Sequence, residues 1–371
     1  MRTGRQARRS IKAGASLLAL SILLVACGNG DDPAVSDEIE DAADTAADDE
    51  DIDDANDAEE PDPGADGESP DFIAIGTGGT GGTAYPMGGA VAAMLGREMS
   101  GVTSASAETT GGSIENIRLV HDGQVEFGQI QADVAYEGCN GIGRFEGDPQ
   151  DVYTYVTLYP NVLVPIWLEG EDINDMQDFV GKRVGVGDAG SGTDLFAEAA
   201  VTANGLTYDD FNVQHLPLDA QTAAFRDGQL DAAFWSSPRV GGTASLQDLA
   251  ASADVNWSGF SEEELANIDA EYPYYSAGVI PAGTFTNQPE DLPVATVWHN
   301  YLGRTDLADD FVYELVSLIL EQVDVAAGAH PAGGDIDPSN IVHAQCPVHP
   351  GAARAHADAG FEVPEELIAQ R

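Results

Sequence analysis

The sequence predicts an α/β fold built as two lobes with a cleft between them. Strands and helices alternate in two separate halves, each half has a glycine-rich turn between a strand and a helix, and two long β-rich runs, Tyr153–Leu168 and Tyr272–Pro281, connect the halves. Alternating strands and helices form parallel sheets, whose ligands bind beyond the carboxyl ends of the strands. We therefore expect the binding site in the cleft, and we expect the two runs to cross as the strands of a hinge.

The first glycine-rich turn follows an apolar strand that ends at Ile75. Five of the seven residues from Gly76 to Gly82 are glycine, and the helix that follows, to about Met99, has one apolar face formed by Met87, Val91, Met94 and Leu95. Glycines let the backbone approach a ligand and take positive φ, and a helix N-terminus favours negative charge. The turn is therefore typical of an anion site.

Other interpretations of this turn are open. The spacing of Gly76, Gly78 and Gly81 fits a dinucleotide fingerprint, with Glu108 as ribose ligand in a secreted Rossmann-like oxidoreductase. That match has little weight, because a run so rich in glycine fits almost any glycine pattern. A P-loop would need lysine at the position of Gly82, so this interpretation fails. A small carboxylate would suit the helix N-terminus, and a tight turn without a ligand is the alternative without function.

The alternation continues through the rest of the folded region. We expect strands at 102–108, 127–130, 183–186, 213–216 and 231–235, and helices opening at Gly111-Gly112-Ser113, after the glycine turn 187–192, and at Asp219. A C-terminal helix from Asp306 to about Val325 has Leu307, Phe311, Leu315 and Ile319 on one face. We expect that face to pack on the first lobe.

The first 27 residues indicate export from the cell. An apolar stretch from Ala13 to Ala26 follows a positively charged segment with Arg2, Arg5, Arg8, Arg9 and Lys12, which is the pattern of a signal peptide. Leu24-Val25-Ala26-Cys27 resembles the lipobox of bacterial lipoproteins, which implies a lipid on Cys27. Residues 31–70 contain 19 acidic and no basic residues, so 28–70 is predicted to be a disordered tether. The expected location is the periplasm or the outer face of the cell membrane, with a lipid anchor.

The folded region, residues 71–371, is strongly acidic. It has 45 acidic and 10 basic residues, a net charge of -35, and the whole chain has only two lysines, Lys12 and Lys182. Such a charge excludes nucleic acid as a partner. It predicts a halophilic surface, adapted to salt concentrations that screen the repulsion.

Several motifs in a fixed order resemble those of one family, the TAXI branch of the TRAP-type solute-binding proteins. The resemblance covers about Phe72 to Phe361, and the residues that carry it are Ile75-Gly76-Thr77-Gly78-Gly79-Thr80-Gly81-Gly82, Thr110-Gly111-Gly112-Ser113, Gln131-Ala132-Asp133, Gly190-Ser191-Gly192-Thr193, Asp227-Gly228-Gln229, Ile280-Pro281-Ala282-Gly283-Thr284 and His349-Pro350-Gly351.

This resemblance implies a two-lobed, periplasmic-binding-protein-like (type II) fold that needs no cofactor. Such a receptor closes on a small organic anion, glutamate-like or another carboxylate, and delivers it to integral-membrane TRAP permease subunits. Lobe I is then expected at 71–155 and 282–371, and lobe II with the hinge strands at 156–281.

Candidate ligand-binding residues lie in the two facing turns, at strand ends and on the cleft walls. They are Thr77, Gly78, Gly79, Thr80, Gly81, Thr83, Tyr85, Thr110, Gly111, Gln131, Ser191, Gly192, Thr193, Trp235, Ser236 and Tyr274. Arg239 either pairs with a ligand carboxylate or lies on the surface among acidic residues.

The two cysteines after Cys27 suggest a disulfide, because the compartment is oxidising. Cys139 and Cys346 would form it. A metal site at His343, Cys346 and His349 is the alternative, but Pro347 interrupts the helix that would align these residues, so no metal is expected. No Ser-His-Asp set can be assembled, and a free nicotinamide cofactor is scarce outside the cell. We therefore expect a binding protein and not an enzyme.

Overall fold

A computed structural model describes residues 67–257 and 259–370. The strands are β1 (Phe72–Gly76), β2 (Ser104–Glu108), β3 (Phe127–Gln131), β4 (Tyr153–Leu168), β5 (Arg183–Gly185), β6 (Asn212–Gln214), β7 (Ala232–Pro238), β8 (Val255–Asn256), β9 (Ser276–Ile280) and β10 (Leu292–Gly303). The helices are α1 (Ala84–Glu98), α2 (Ser113–His121), α3 (Ala132–Asn140), α4 (Gly192–Ala203), α5 (Leu218–Arg226), α6 (Ala244–Ser252), α7 (Glu262–Glu271), α8 (Asp309–Glu321), α9 (Val323–Ala329) and α10 (Pro350–Asp358).

Short 3-10 helices lie between these elements, at Gly143–Phe145, Met176–Phe179, Tyr208–Asp210, Pro331–Asp335, Pro338–His343 and Glu365–Leu367. The signal peptide, Cys27 and all but the last residues of the expected tether lie outside the described residues. Within the described ranges, every helix is too short or too polar to cross a membrane.

The strands form one mixed sheet in the order β2-β1-β3-β10-β4-β7-β5-β6, with β8 beside β4 and β9 beside β10. At one end, β1 is parallel to β2 and β3, and at the other end β5 is parallel to β6 and β7. Between these parallel groups lie β10 and β4, which pair with each other in antiparallel orientation. The sheet therefore has two βαβ halves joined by two long strands, as the alternation of elements predicts.

The first of these long strands was predicted correctly and the second was not. β4 spans Tyr153–Leu168, but its partner is β10, and the expected hinge strand at Tyr272–Pro281 contains only β9, which pairs with the start of β10. β9 is mostly exposed, whereas β10 is buried along most of its length. The chain therefore folds back after β9, and the more apolar run takes the central position.

The pairing of β4 with β10 is interrupted where the two halves meet. Trp298 pairs with Pro160 and Asn300 pairs with Thr157, so β4 has one extra residue opposite His299. This β-bulge changes the side-chain alternation of β4 and increases the local twist. It also places the ring of Tyr159 on that of His299, with centroids 5.3 Å apart and planes 11° from parallel.

Each half has its own apolar core. In the first half, Ile73 and Ile75 of β1 pack with Met87 of α1 and with Leu315 and Ile319 of α8. The expected packing of the C-terminal helix on the first half is therefore confirmed, although α8 ends at Glu321 and α9 follows as a separate helix. In the second half, both faces of the sheet are covered, as is usual for parallel strands.

Cys139 and Cys346 form a disulfide in the structure, with Cα atoms 5.8 Å apart. It ties the end of α3 to the segment before α10, across 207 residues of sequence.

Candidate functional site

A cavity of about 110 Å³ lies where the two halves of the sheet meet. A single water needs about 10 to 15 Å³ by the same measure, so the cavity has room for a small organic molecule. Its lining is largely uncharged: hydroxyl, amide and imidazole side chains together with glycine backbone.

The walls of the cavity are helix N-termini. In the described part of the chain, the residues immediately before α1 to α6 all line it: Thr83, Gly112, Gln131, Ser191, Pro217 and Thr243. The first amides of a helix have no acceptor within that helix, and the helix dipole makes this end positive. Six such ends around one cavity favour an anion without the help of a cationic side chain.

The floor of the cavity is formed by four adjacent strands. Gln129 and Gln131 come from β3, His299 from β10, Tyr159 and Asn161 from β4, and Ser236 from β7. These side chains point to one face because the side chains of a strand alternate and because the bulge shifts the alternation of β4.

The amide of Gln131 joins the two halves below the cavity. Its Nε2 donates to the main-chain oxygen of Gly192 at 3.0 Å and to Oδ2 of Asp133 at 3.4 Å. Its Oε1 accepts from Oγ of Ser236 at 3.1 Å and from Nδ2 of Asn161 at 3.4 Å. With four partners, this side chain holds β3 against α4 and β7.

Further contacts join the two halves outside the cavity lining. Nη1 of Arg144 lies 3.7 Å from Oδ2 of Asp194, and Nη2 of Arg144 forms an ion pair with Glu198. The hydroxyl of Tyr275 donates to the buried carboxyl of Asp133 at 2.6 Å. The structure is therefore a form in which the halves touch along the cleft.

The charge of the cavity comes from acidic residues at its edge. Of the described residues that line it, none is Lys or Arg. Burial lowers the pKa of His299 to about 3, so this imidazole is neutral. Asp188 and Asp219 also line the cavity. The pKa of Asp188 is raised, mainly by burial and further by the charge of Asp219.

The glycines of the first turn do not have the positive φ that we expected. Positive φ occurs at Gly112 (103°), Gly187 (89°) and Gly190 (79°), but at no glycine from 76 to 82. Close approach explains two of the first-turn glycines: a Cβ at Gly76 would lie 2.8 Å from Asn116, and one at Gly81 would lie 3.1 Å from Cβ of Asp219. Of the two glycine-rich turns, only the second therefore uses glycine for its φ.

Eleven of the sixteen candidate residues line the cavity. They are Thr77, Gly78, Gly79, Gly81, Thr83, Gly111, Gln131, Ser191, Gly192, Thr193 and Ser236. Their role in binding remains a prediction.

The other five candidates lie elsewhere. Thr80 is exposed, and Tyr85 is 36% exposed on the outside of α1. Thr110 holds the turn before α2 through a bond from its hydroxyl to Asn116. Trp235 is fully buried in the core, because successive residues of β7 face opposite sides and its neighbour Ser236 faces the cavity. Tyr274 packs against Tyr136, Tyr272 and Tyr275.

Several cavity residues were missed by the sequence analysis. Tyr159 and Asn161 lie in a correctly predicted strand, but its bulge has no sequence signal. His299 lies in β10, which we did not expect as the central strand. Thr243 offered the clearest signal, because a threonine directly before a helical segment is a frequent N-cap.

The residues of the alternative sites do not converge on a second centre. Arg239 pairs with Asp335 at 3.8 Å and is not part of the cavity lining. This position agrees with the interpretation of Arg239 as a surface residue among acidic residues. Glu108 accepts a hydrogen bond from Ser106 and also lies outside the lining. Cys346 is in the disulfide, His343 stacks on Trp298, and His349 accepts from the amide of Gly351 at the start of α10.

Two βαβ halves joined by long paired strands, with the cavity between them, define the two-lobed type II fold of periplasmic binding proteins. The chain belongs to the NMT1-like family, whose model matches residues 75–360.

Solved structures include several to which the chain is similar. One is the periplasmic aliphatic sulphonate binding protein SsuA from Escherichia coli, with 16% identity and a TM-score of 0.40 over 78% of this chain and 86% of that chain. Another is PhnD1 from Prochlorococcus marinus in complex with methylphosphonate, with 10% identity and a TM-score of 0.46 over 71% and 90%. A putative L-cystine ABC transporter protein from Listeria monocytogenes has 12% identity and a TM-score of 0.41 over 72% and 98%.

Proposed function

We propose that this protein is an extracytoplasmic receptor that binds a small organic anion between its lobes and passes it to a membrane permease. The observation that carries the proposal is the set of six helix N-termini around one cavity. Amides and dipoles at these ends favour negative charge. The cavity is therefore organised for capture, and the proposal includes no catalytic step.

A carboxylate is the anion that we propose. The cavity is small, and its polar lining of amides and hydroxyls can donate hydrogen bonds to both oxygens of a carboxylate. Charge-assisted bonds of this kind are worth more than bonds between neutral groups.

The proposals of a TRAP-type transporter and of a lipid anchor are based on the sequence motifs. The TAXI-type motifs from Ile75 to Gly351 support a TRAP permease as the partner, and Cys27 with the acidic segment to residue 70 supports a lipid anchor and a tether on the outer side of the membrane. A tethered receptor would stay close to its permease while it samples the solution.

Thermal unfolding with a panel of anions tests the proposal. The panel contains mono- and dicarboxylates, amino acids, sulfonates and phosphonates, and the fully methylated ester of each active acid, which has no negative charge, serves as the control. A ligand at 100 times its dissociation constant stabilises the folded state by roughly 2.7 kcal/mol. We expect at least one carboxylate to raise the melting temperature and its methyl ester to have no effect. A panel in which no anion acts, or in which ester and acid act equally, would refute an anion receptor.

A further inference from the structure

Three buried polar atoms at the cavity have no hydrogen-bond partner among the described residues. They are Oγ1 of Thr83, Oδ1 of Asn161 and Nδ1 of His299. Their residues are only 6%, 7% and 8% exposed, respectively, and all three line the cavity. A buried polar atom without a partner is costly, so a bound ligand is the natural source of the missing hydrogen bonds.

The amide of Asn161 has a fixed orientation, which follows from a chain of bonds that begins at a main-chain carbonyl. The oxygen of Gly192 can only accept, so the group of Gln131 that faces it is Nε2. Oε1 of Gln131 therefore faces Ser236 and Asn161, and it accepts from the hydroxyl of Ser236. Since that hydroxyl proton is used, Oγ of Ser236 accepts from Nδ2 of Asn161 at 3.0 Å.

The consequence is that Oδ1 of Asn161, an atom that can only accept, remains for the ligand. A plain carboxylate cannot satisfy it, because a carboxylate offers only acceptors. The bound molecule therefore needs a hydrogen-bond donor in addition to its anionic group.

The surroundings of Asn161 favour a neutral donor. His299 is uncharged, and the hydroxyl of Thr83 can donate back to an oxygen of the ligand. The carboxylates that line the cavity belong to other elements: Asp188 precedes α4, and Asp219, which is exposed, lies in the first turn of α5. An ammonium group at Asn161 would be buried without a carboxylate on these floor strands, which is unfavourable.

We propose that Asn161 is the specificity-determining residue of this site, and that it recognises a hydroxyl group beside the carboxylate of a small hydroxy acid. The inference rests on the proposed function and narrows its ligand class. A hydroxyl group suits this position because it can donate to Oδ1 of Asn161 and still accept a hydrogen bond on its own oxygen.

Calorimetry with matched acids tests this inference on the full-length protein. Each series compares four acids with the same carbon skeleton: the unsubstituted acid, the 2-hydroxy acid, the 2-oxo acid and the 2-amino acid. The three-carbon series is propionate, lactate, pyruvate and alanine, and the four-carbon series is succinate, malate, oxaloacetate and aspartate. The five-carbon series is glutarate, 2-hydroxyglutarate, 2-oxoglutarate and glutamate. We expect one hydroxy acid to bind roughly 10- to 100-fold more tightly than its unsubstituted and oxo counterparts, which leave the acceptor unpaired.

The variant Asn161→Leu should remove this preference and leave the unsubstituted acid bound about as well as before. A loss of fold would weaken all four acids together, so the ratio between acids separates recognition from structure. Asn140→Leu makes the same change at the exposed end of α3 and should leave the ratio unchanged.

The possible outcomes are distinct. Equal binding of hydroxy and unsubstituted acids would overturn the inference and leave the anion receptor standing. An amino acid that binds more tightly than its hydroxy counterpart would also overturn it and would point to Asp188 and Asp219. If none of these acids binds, the inference is wrong, and if no anion of the wider panel stabilises the protein either, the proposed function is wrong as well. If Asn161→Leu does not fold, the comparison of acids on the unmodified protein still decides.

Discussion

Replacing Gly192 with alanine tests whether contact between the lobes supports binding. A Cβ at this position would lie 2.5 Å from Cδ, 2.7 Å from Nε2 and 2.8 Å from Oε1 of Gln131. Favourable contacts between non-bonded carbons begin at about 3.5 Å, so the amide of Gln131 has to move. That amide has four hydrogen-bond partners, distributed over both halves of the sheet.

The expected loss can be worked out from these bonds. Displacing the amide breaks at least the bonds to Gly192 and Ser236, each worth about 1 kcal/mol. Because these bonds join the two halves, the cost falls on the closed form. A loss of about 2 kcal/mol weakens ligand binding about 30-fold. Titration calorimetry with the tightest acid of the panel measures this change.

Two controls belong to the same experiment. Gly89→Ala makes the same substitution inside α1, where no atom lies within 4 Å of the added Cβ, and binding should not change. Arg239→Ala removes an ion pair with Asp335 outside the cavity, which as a surface pair is worth about 0 to 1 kcal/mol, so binding should change less than about fivefold. Normal binding by folded Gly192→Ala beside lost binding by Arg239→Ala would refute this reasoning and indicate an arginine that holds the ligand.

Three further predictions concern stability. Burial raises the pKa of Asp133 from 3.8 to about 6, so the folded state holds this proton more tightly than the unfolded chain. Relative to Asp133→Asn, the free energy of unfolding should therefore fall by about 1.3 kcal/mol from pH 5 to pH 7. Parallel pH profiles of the two proteins would contradict this. The net charge of -35 on residues 71–371 predicts a melting temperature that rises from 0.01 M to 1 M NaCl or KCl, where the Debye length falls from about 30 Å to about 3 Å, and a flat series would exclude this. Unreduced, denatured protein should show no reactive thiol at Cys139 or Cys346, and two free thiols would disprove the bond. Reduction should lower the free energy of unfolding by up to about 5 kcal/mol, because the bond closes a loop of 207 residues.

Local sequence signals predicted half of the residues that precede the helices at the cavity: Thr83, Gln131 and Ser191 were candidates, and Gly112, Pro217 and Thr243 were not. The two glycine turns and the helices behind them are short-range features, and Ser191 and Gly192 line the cavity where the sequence analysis placed them. Gly192 shows the limit of such signals. The sequence around Gly192 identifies a turn. Glycine is needed there because a Cβ would collide with the side chain of Gln131, 61 residues away.

Gln131 and Ser236 of the floor were candidates, but the rest of the floor could not be predicted because it depends on long-range pairing. Which of two β-rich runs pairs with β4 is decided by burial in the complete sheet, and this choice brings His299 to the cavity. The bulge opposite His299 then sets the direction of Tyr159. Trp235 and Ser236 were both expected at the site, but strand alternation allows only one of them to face it, and the pairing of β7 with β4 determines which.

In the proposed receptor, the bulge between β4 and β10 would couple lobe movement to the shape of the cavity. It interrupts the pairing of the two long strands between Trp298 and Asn300, and a bulged strand bends at such a point. His299 lies at this point and is also part of the cavity floor. A rotation of one lobe against the other would therefore deform the floor of the cavity. In the proposed receptor, a permease that pulls the lobes apart would therefore weaken contacts with the solute at the floor as well as at the walls, and opening and release would occur together.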